Sequence, residues 1–394
     1  MSSPPPPPRR PQRGFDPDLD KYAPKPSALP PPALFQVLYF GACISLLVYL
    51  LTPAPISVKS AGEIELMRET CGDASSLLRR LSPHVLPGAT TLSLDGAASA
   101  IMSGMSVRAA PLNYGGVLGG LISASEPGKS ACKLAASLSH YLLTAAASLV
   151  ALRPKFSPVG LPLCGFPSSV CVSVNDVVCH GIPAEREVLR RGDAVNVDVT
   201  TISPEGWFGD TSKMWLVGFP PLHLEGYDIH DERNREGDEF YERARLAAVT
   251  RDCLFLGISA VKAGASLGDI GAAIHGYAEE HGYSVVREYS GHGIGTAFHE
   301  GPRVLHYGDA GGGDVLEAGM TLTIEPMVNA GGAGIRAERD QWTVRTEDGS
   351  DSAQWEHTVL VTEDGFEILT MREGEEWPER VLKRLAEQKE REDR

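Results

Sequence analysis

The stretch Ala194–Leu216 constrains the fold of this chain more than any other. In AVNVDVT the three valines point to one face of a half-buried strand, and Asn196 and Asp198 point to the other. SPEG, Ser203–Gly206, is typical of a turn. WFGDTSKMWLVG then follows as the return strand. The stretch therefore predicts an antiparallel β-hairpin with one apolar face and one polar face.

The polar face of this hairpin carries two aspartates. Asp198 and Asp210 lie equally far from a turn centred near Pro204, so the hairpin predicts that the two carboxylates face one another. Two like charges in that position repel, and a cation between them would remove the repulsion. Turn capping, or a pair of carboxylates facing solvent, is the ordinary alternative for such residues.

Three further candidates for a metal site lie downstream. His292 lies in the glycine-rich stretch YSGHGIGTAFHE, Tyr289–Glu300. Glu325 and Glu356 lie in TLTIEPMV and SAQWEHTVLV, apolar segments that predict strands, and a carboxylate buried without a partner is costly. Together with the two aspartates they form a ligand set for two divalent ions such as manganese, iron, cobalt or zinc. Such a set is typical of two-metal hydrolysis of a carbonyl compound.

The composition of the chain limits its number of domains and its partners. Its 394 residues, of which 42% are hydrophobic, suffice for one large domain or two ordinary ones. A formal charge of −15 without a basic stripe argues against nucleic acid as a partner. None of the seven cysteines forms a C-x-x-C pair, which favours free thiols in a reducing compartment and argues against a zinc finger.

The N-terminal part of the chain differs in composition from the rest. Residues 1–32 are rich in proline and are predicted to be disordered or polyproline-like. Residues 33–51, ALFQVLYFGACISLLVYLL, just reach the roughly 20 apolar residues that a membrane-spanning helix needs. Four interpretations of this stretch stay open: a membrane anchor, a cleaved targeting segment, a buried helix and a wrongly included exon. Basic residues on the N-terminal side of an anchor would leave the N-terminus in the cytosol.

From residue 56 the pattern predicts an α+β domain. SAGEIELMRETCGDASSLLRRLSPHV has helical spacing of its apolar residues. A second helix is predicted over roughly 239–262. A third begins at Ser266, where Asp269 completes a capping box, and ends near Gly282. The charged tail, residues 372–394, is predicted to be a solvated helix or disordered.

Several motifs, in this order, resemble those of type 1 methionine aminopeptidases: NDVVCHGIP, NVDVT…GDTSKMW, SGHGIGTAFHE, TIEPM and QWTVRT…SAQWEHTVLVT. The resemblance extends over residues 56–371. It implies an α+β pita-bread fold, in which two pseudo-symmetric α+β halves surround a curved antiparallel sheet. It also implies a hydrolase that removes the initiator methionine from nascent proteins and prefers a small second residue.

The resemblance implies a role for each candidate residue. Five residues match the ligands of two divalent ions (Co, Mn, Fe or Zn): Asp198, Asp210, His292, Glu325 and Glu356. Asp210 and Glu356 would bridge the ions, and Glu325 would also carry a proton in catalysis. Six residues match substrate contacts: the catalytic His180 and His299, and Cys171, Phe166, Trp342 and Tyr114 around the methionine pocket. Structural histidines and ordinary core packing are the alternatives for these six.

The chain departs from the family pattern at two places. The family's pocket motif is continuous, but here it is divided into PLNYGG at 111–116 and FPSSVC at 166–171. Residues 117–165 separate the two parts. This segment is rich in alanine, leucine and serine, and Glu126 is its only acid. It is either a retained intron translated in frame or a real insertion. The charged loop 219–238 is the second departure.

Two rival functions are weighed against this interpretation. An X-Pro-type aminopeptidase of the same fold would share the five ligands, but the CHGIP and SAQWEH contexts and the lack of a large N-terminal domain argue against it. An inactive pita-bread scaffold would have lost ligands, and none is missing here. The expected partners are the N-termini of nascent chains near the ribosome. The expected location is cytoplasmic or organellar, with anchoring through residues 33–51 left open.

Overall fold

The computed structural model of this protein describes residues 56–112, 114, 165–220, 223–224, 226–227, 229 and 240–393. The predictions for residues 1–32, 33–51 and 117–164 therefore fall outside the described residues. Within the described part, no helix combines the length and the apolar character needed to cross a membrane. The cysteines described there, Cys71, Cys171, Cys179 and Cys253, are buried free thiols, as predicted.

Two helices and a four-stranded sheet form the first half of the fold. Helix α1 spans Ala61–Leu81, and Met67, Cys71 and Leu77 are fully buried on its inner face. Helix α2 spans Thr91–Met105, and the Thr90 side chain caps it by accepting the Ser93 N–H at 3.1 Å. A short 3₁₀ turn, Ser82–His84, follows α1.

The sheet of this half confirms the predicted hairpin. Its strands are β1 (Arg108–Ala109), β2 (Cys171–Val174), β4 (Ala194–Ile202) and β5 (Phe208–Leu216). Strand β4 pairs antiparallel with β5 on one edge, and with β2 and β1 on the other. The three alternate valines of β4 are buried in one apolar cluster with residues of α1 and α2. The opposite face of β4 is thereby left for Asn196 and Asp198.

The register of this hairpin differs from the prediction by two residues. Asp198 lies opposite Ser212, and Asp210 lies opposite Thr200, so the two aspartates are diagonal neighbours on one face. The difference arises because the Ser203 N–H donates to the Trp207 carbonyl at 2.9 Å, which closes a three-residue loop. Gly206 takes the left-handed conformation that such a loop needs, with φ of 90°.

The second half repeats the pattern of two helices against antiparallel sheets. Helices α3 (Tyr241–Ser259) and α4 (Leu267–Glu280) confirm the predicted helices, and the Asp269 carboxylate accepts the Ser266 N–H at 2.8 Å, as in a capping box. The strands of this half are β6 (Ser284–Val285), β7 (Gly291–Gly293), β8 (Glu300–Val304), β9 (Thr321–Ile324), β10 (Met327–Asn329), β13 (Ser352–Gln354), β14 (His357–Val361) and β15 (Phe366–Ile368). They form a five-stranded sheet with the order β15-β14-β9-β7-β8 and a three-stranded sheet with the order β13-β10-β6.

A small sheet and a C-terminal helix complete the fold. The small sheet has the order β11-β12-β3 and consists of β3 (Val177–Cys179), β11 (Ile335–Ala337) and β12 (Val344–Thr346). The charged tail forms helix α5, Glu379–Glu392. Arg380 pairs with Asp252 of α3 at 2.7 Å, and Val381 is buried in the core of the second half. The helical alternative for the tail is therefore the one that the structure adopts.

The two segments that predicted continuous strands each break at their glutamate. Strand β9 ends before Glu325 and β10 begins after Pro326, while β13 ends before Trp355 and β14 begins after Glu356. Strands β9 and β14 pair in one sheet, and β10 and β13 pair in another. Each glutamate therefore lies where the chain passes between sheets. Pro326 favours its break because proline has no N–H for a ladder hydrogen bond.

Candidate metal centre and substrate pocket

The strand breaks and the hairpin bring three carboxylates together. Asp198 of β4, Asp210 of β5 and Glu356 at the second break each offer an oxygen, and these oxygens lie within 4.8 Å of one another. Glu356 reaches this position because its N–H donates to the Ser212 carbonyl at 3.3 Å, which joins the second half of the fold to β5. Metal–oxygen bonds of about 2.0–2.2 Å make this a spacing that shared divalent ions can span.

His292 adds a nitrogen donor to the cluster. Its Nδ1 lies 2.9 Å from the Gly293 carbonyl oxygen, and because a carbonyl can only accept, Nδ1 carries the proton. The lone pair is therefore on Nε2, which lies 3.7 Å from Asp210 Oδ2 and 3.7 Å from Glu325 Oε1. Burial lowers the pKa of His292 to about 4, so the ring is neutral at physiological pH. A neutral imidazole with a directed lone pair is suited to bind a metal ion.

The electrostatics of the cluster favour cations. Burial raises the pKa of Asp198 to about 7, and burial with the charge of Asp198 raises the pKa of Glu325 to about 8. Burial and the neighbouring carboxylates also raise the pKa values of Asp210 and Glu356 well above their usual range. Four carboxylates held this close would resist full ionisation on their own. Oxygen donors with a single imidazole therefore fit divalent ions of the manganese, iron, cobalt or zinc kind.

Hydroxyl groups that were not predicted hold two of the carboxylates. Thr200 donates to Asp210 Oδ1 at 2.8 Å, and Thr323 donates to Glu325 Oε1 at 2.9 Å. The Gln354 side-chain amide donates to Glu325 Oε2 at 3.3 Å. The period-two spacing of Thr323 and Glu325 along the strand is a signal that could have pointed to this contact.

The glycines beside His292 serve the packing of strands. A Cβ on Gly291 would lie 2.2 Å from the Thr323 carbonyl oxygen, and a Cβ on Gly293 would lie 2.0 Å from the Gly301 carbonyl oxygen. Only glycine allows β7 to lie this close to its neighbours. The same close approach brings His292 beside Glu325.

Aromatic rings and a buried thiol are the predicted substrate contacts near the carboxylates. The buried ring of Phe166 lies 5.4 Å from the ring of Trp342, which lies 6.2 Å from the ring of His180. Cys171 pairs with Asp198 across β2 and β4, so its thiol lies next to the metal cluster. Burial and the charge of Asp198 raise the pKa of this thiol, which keeps it neutral. Of the predicted pocket residues, Phe166 and Trp342 thus contact one another, and Cys171 lies beside the predicted ligand Asp198.

The two predicted substrate-side histidines flank this site. His180 has a left-handed backbone conformation, with φ of 53°, of the kind that is often retained at functional sites. Its ring lies 5.3 Å from the ring of Tyr289. The ring of His299, an exposed residue, lies 4.2 Å from His292 and 4.4 Å from Phe298. Tyr289 and Phe298 were missed, although each lies in the quoted stretch Tyr289–Glu300.

Tyr114 joins the two separated halves of the pocket motif. Its hydroxyl lies 2.6 Å from His299 Nδ1, and its carbonyl accepts the Phe166 N–H at 2.9 Å. PLNYGG and FPSSVC therefore meet at the site, as their joined form predicts. Residues 117–164, which separate them, lie outside the described part.

Comparison with known proteins agrees with this arrangement. The model of metallopeptidase family M24 matches residues 65–363. A curated relative named methionine aminopeptidase, from Salmonella typhimurium, is 42% identical over 323 residues, which covers 82% of this chain and 97% of the relative. A solved methionine aminopeptidase from Rickettsia prowazekii is 38% identical with a TM-score of 0.60, and the match covers 80% of this chain and 100% of that one.

A more distant structure shares the fold alone. The Xaa-Pro dipeptidase from Bacillus anthracis is 18% identical with a TM-score of 0.50, and the match covers 80% of this chain and 63% of that one. These neighbours, with the antiparallel sheets and the two helix pairs, confirm the predicted α+β pita-bread fold.

Proposed function

This chain belongs to metallopeptidase family M24, and we propose that it removes the initiator methionine from proteins by hydrolysis at a site for two divalent metal ions. The N-termini of newly made polypeptides are its substrates. The curated relatives that match most of its length are named methionine aminopeptidase, which makes it a metalloexopeptidase. Proximity to the ribosome and an anchor in residues 33–51 stay predictions.

One observation carries the proposal. Asp198, Asp210 and Glu356 offer oxygens within 4.8 Å of one another, beside the Nε2 lone pair of His292. Asp210 lies in both groups of donors, which supports a bridging role for it. Divalent ions held there would supply Lewis acidity toward the scissile carbonyl and activate water for attack.

The other groups of the site handle the proton and the substrate. Glu325 would take a proton from the attacking water and pass it to the leaving amine, and its Oε1 is placed for this role 3.7 Å from His292 Nε2, beside the proposed metal site. His180 and His299 contact the peptide and the tetrahedral intermediate. The phenol of Tyr114 contacts His299 Nδ1 at 2.6 Å and so orients its ring.

The pocket accounts for recognition of methionine. Phe166 and Trp342 meet edge to face with ring centroids 5.4 Å apart, and the buried Cys171 lies opposite Asp198 on the neighbouring strand. Aromatic walls and a neutral thiol suit a flexible thioether side chain. A bulky second residue would clash near the pocket, so small second residues are preferred.

The rival functions have less support. Likeness to the Xaa-Pro dipeptidase concerns the fold alone. A scaffold without metal ions would hold four mutually repelling carboxylates in a buried cluster, and burial of unpaired carboxylates is costly. Retention of all five donors therefore favours an active enzyme.

Release of methionine tests the proposed function directly. The purified full chain should cleave Met-Ala-Ser and should leave Met-Lys-Ser largely intact, because the second side chain must be small. A chelator should abolish turnover, and Mn²⁺ or Co²⁺ should restore it. Cleavage of Xaa-Pro peptides without cleavage of Met-Ala-Ser would support the X-Pro rival instead.

Deletion of residues 117–165 should give a more soluble protein with equal or higher activity. After the deletion, Tyr114-Gly-Gly-Phe166 are four consecutive residues, and the existing bond from the Phe166 N–H to the Tyr114 carbonyl, 2.9 Å long, becomes the closing bond of a β-turn. Glycine at both central positions suits a turn of any type. The deleted LAASLSHYLLTAAASLVAL is strongly apolar and would otherwise favour aggregation.

A second deletion provides the control. Removal of residues 115–165 joins Tyr114 directly to Phe166, so the turn cannot form and the pocket should be damaged. Soluble yield and turnover of Met-Ala-Ser distinguish the two variants. Loss of folding or activity in the shorter deletion would show that residues 117–165 are a genuine part of the structure and that the intron interpretation is wrong.

A further inference from the structure

Thr323 connects two of the proposed metal ligands. It lies on β9 and is fully buried. Its Oγ1 accepts the backbone N–H of His292 on β7 at 2.9 Å, and its hydroxyl donates to Glu325 Oε1 at 2.9 Å. One side chain thus contacts both the strand that carries the histidine and the carboxylate of the glutamate.

The direction of these bonds follows from the chemistry of a hydroxyl. The group has one proton and two acceptor lone pairs, and the His292 N–H occupies one of the lone pairs. Two acceptors are within reach of the proton: Glu325 Oε1 at 2.9 Å and the His292 carbonyl at 3.5 Å. The shorter contact is the stronger, so the proton goes to the carboxylate. The stiff rotamer of a β-branched side chain holds this geometry.

A neighbouring threonine lacks the contact with the carboxylate. Thr321 lies two residues earlier on the same strand, faces the same side and is buried to the same degree. Its hydroxyl donates to the Ile294 carbonyl at 2.5 Å, next to β7. Thr321 therefore has the packing of Thr323, and a bond to the same neighbouring segment, without the link to Glu325.

We infer that Thr323 is a positioning residue that holds Glu325 against His292 and so builds the part of the metal site formed by β7 and β9. This inference rests on the proposed function. Thr200 has the corresponding place in the first half, where it donates to Asp210 at 2.8 Å. Hydrogen-bond partners of metal ligands typically change metal affinity or activity by about 10–100-fold when they are removed.

Metal titration of the full chain tests the inference. The apoprotein is titrated with Mn²⁺ by calorimetry for the wild type and for Thr323→Val, Thr323→Ser and Thr321→Val. Thr323→Val should raise the Kd for Mn²⁺ by about 10–100-fold. Thr323→Ser, which keeps the hydroxyl, and Thr321→Val should bind Mn²⁺ like the wild type. Turnover of Met-Ala-Ser should likewise fall in Thr323→Val and stay near the wild-type value in Thr323→Ser and Thr321→Val.

The outcomes are distinct. Wild-type affinity in Thr323→Val, or an equal loss in Thr321→Val, would overturn the role of Thr323 and leave the proposed function intact. A wild-type chain that binds no Mn²⁺ would overturn both. If Thr323→Val does not fold, Thr323→Ala is compared with Thr323→Ser, because these two variants differ by a single oxygen. The Kd for Mn²⁺ should then differ between them by about 10–100-fold.

Discussion

Asp210→Asn should abolish aminopeptidase activity, with a loss of at least about 10³-fold in turnover. Asp210 contributes an oxygen to the group with Asp198 and Glu356, and its Oδ2 also faces His292 Nε2 at 3.7 Å. An amide offers no negative charge and directs N–H groups at the cations. Because the Thr200 hydroxyl can still donate to the amide oxygen, the variant should keep its fold.

The measurement combines two readouts. Turnover of Met-Ala-Ser reports activity, and mass spectrometry of the native protein reports bound metal. Asp73→Asn is the control, because Asp73 is a half-buried carboxylate on α1 whose pKa is raised by burial and by Glu69, not by the carboxylates of the cluster. Full activity in Asp210→Asn would rule out the two-metal assignment.

His299→Ala and His180→Ala should each lower turnover by about 10²–10⁴-fold while bound metal stays near the wild-type level. His299 Nδ1 contacts the Tyr114 hydroxyl at 2.6 Å, and the ring of His180 packs against Tyr289 and Trp342. Neither ring has an ion-pair contact with the carboxylate cluster among the described residues, in contrast to His292. Both are therefore expected to act on the substrate.

A histidine outside the site provides the comparison. His275 of α4 pairs with Glu279 at 3.3 Å on the surface of the second half, so His275→Ala should leave turnover and metal content unchanged. Loss of metal in His299→Ala would show that His299 is a ligand and that its assignment to the substrate is mistaken.

Local patterns were sufficient to predict the hairpin and helices α1, α3 and α4, whereas helix α2 was not predicted. The alternation of Val195, Val197 and Val199 predicted β4, because a strand turns successive side chains to opposite faces. The capping box at Ser266 predicted the start of α4 within one residue, because it depends on bonds inside a single turn. The order of the motifs indicated the family and the five candidate ligands.

Contacts across the fold decided the geometry of the site. The glutamates were expected inside strands, but each lies at a break between two sheets, and this depends on which strands pair. The register of the hairpin follows from a three-residue loop closed between Ser203 and Trp207, which is centred on Glu205 and not on Pro204 as predicted. This shift of one residue in the loop centre moves the residue paired with Asp198 by two positions.

The sequence by itself determined the hairpin, three of the helices, the family and the candidate residues for the chemistry, because short-range spacing and side-chain type encode these. Only the tertiary structure decided that the Tyr114 hydroxyl contacts His299 and that Thr323 joins His292 to Glu325. It also decided that Asp210 lies between two groups of donors. These are contacts between residues far apart in the chain or on different strands, and strand pairing and close packing set their distances, which local sequence patterns do not encode.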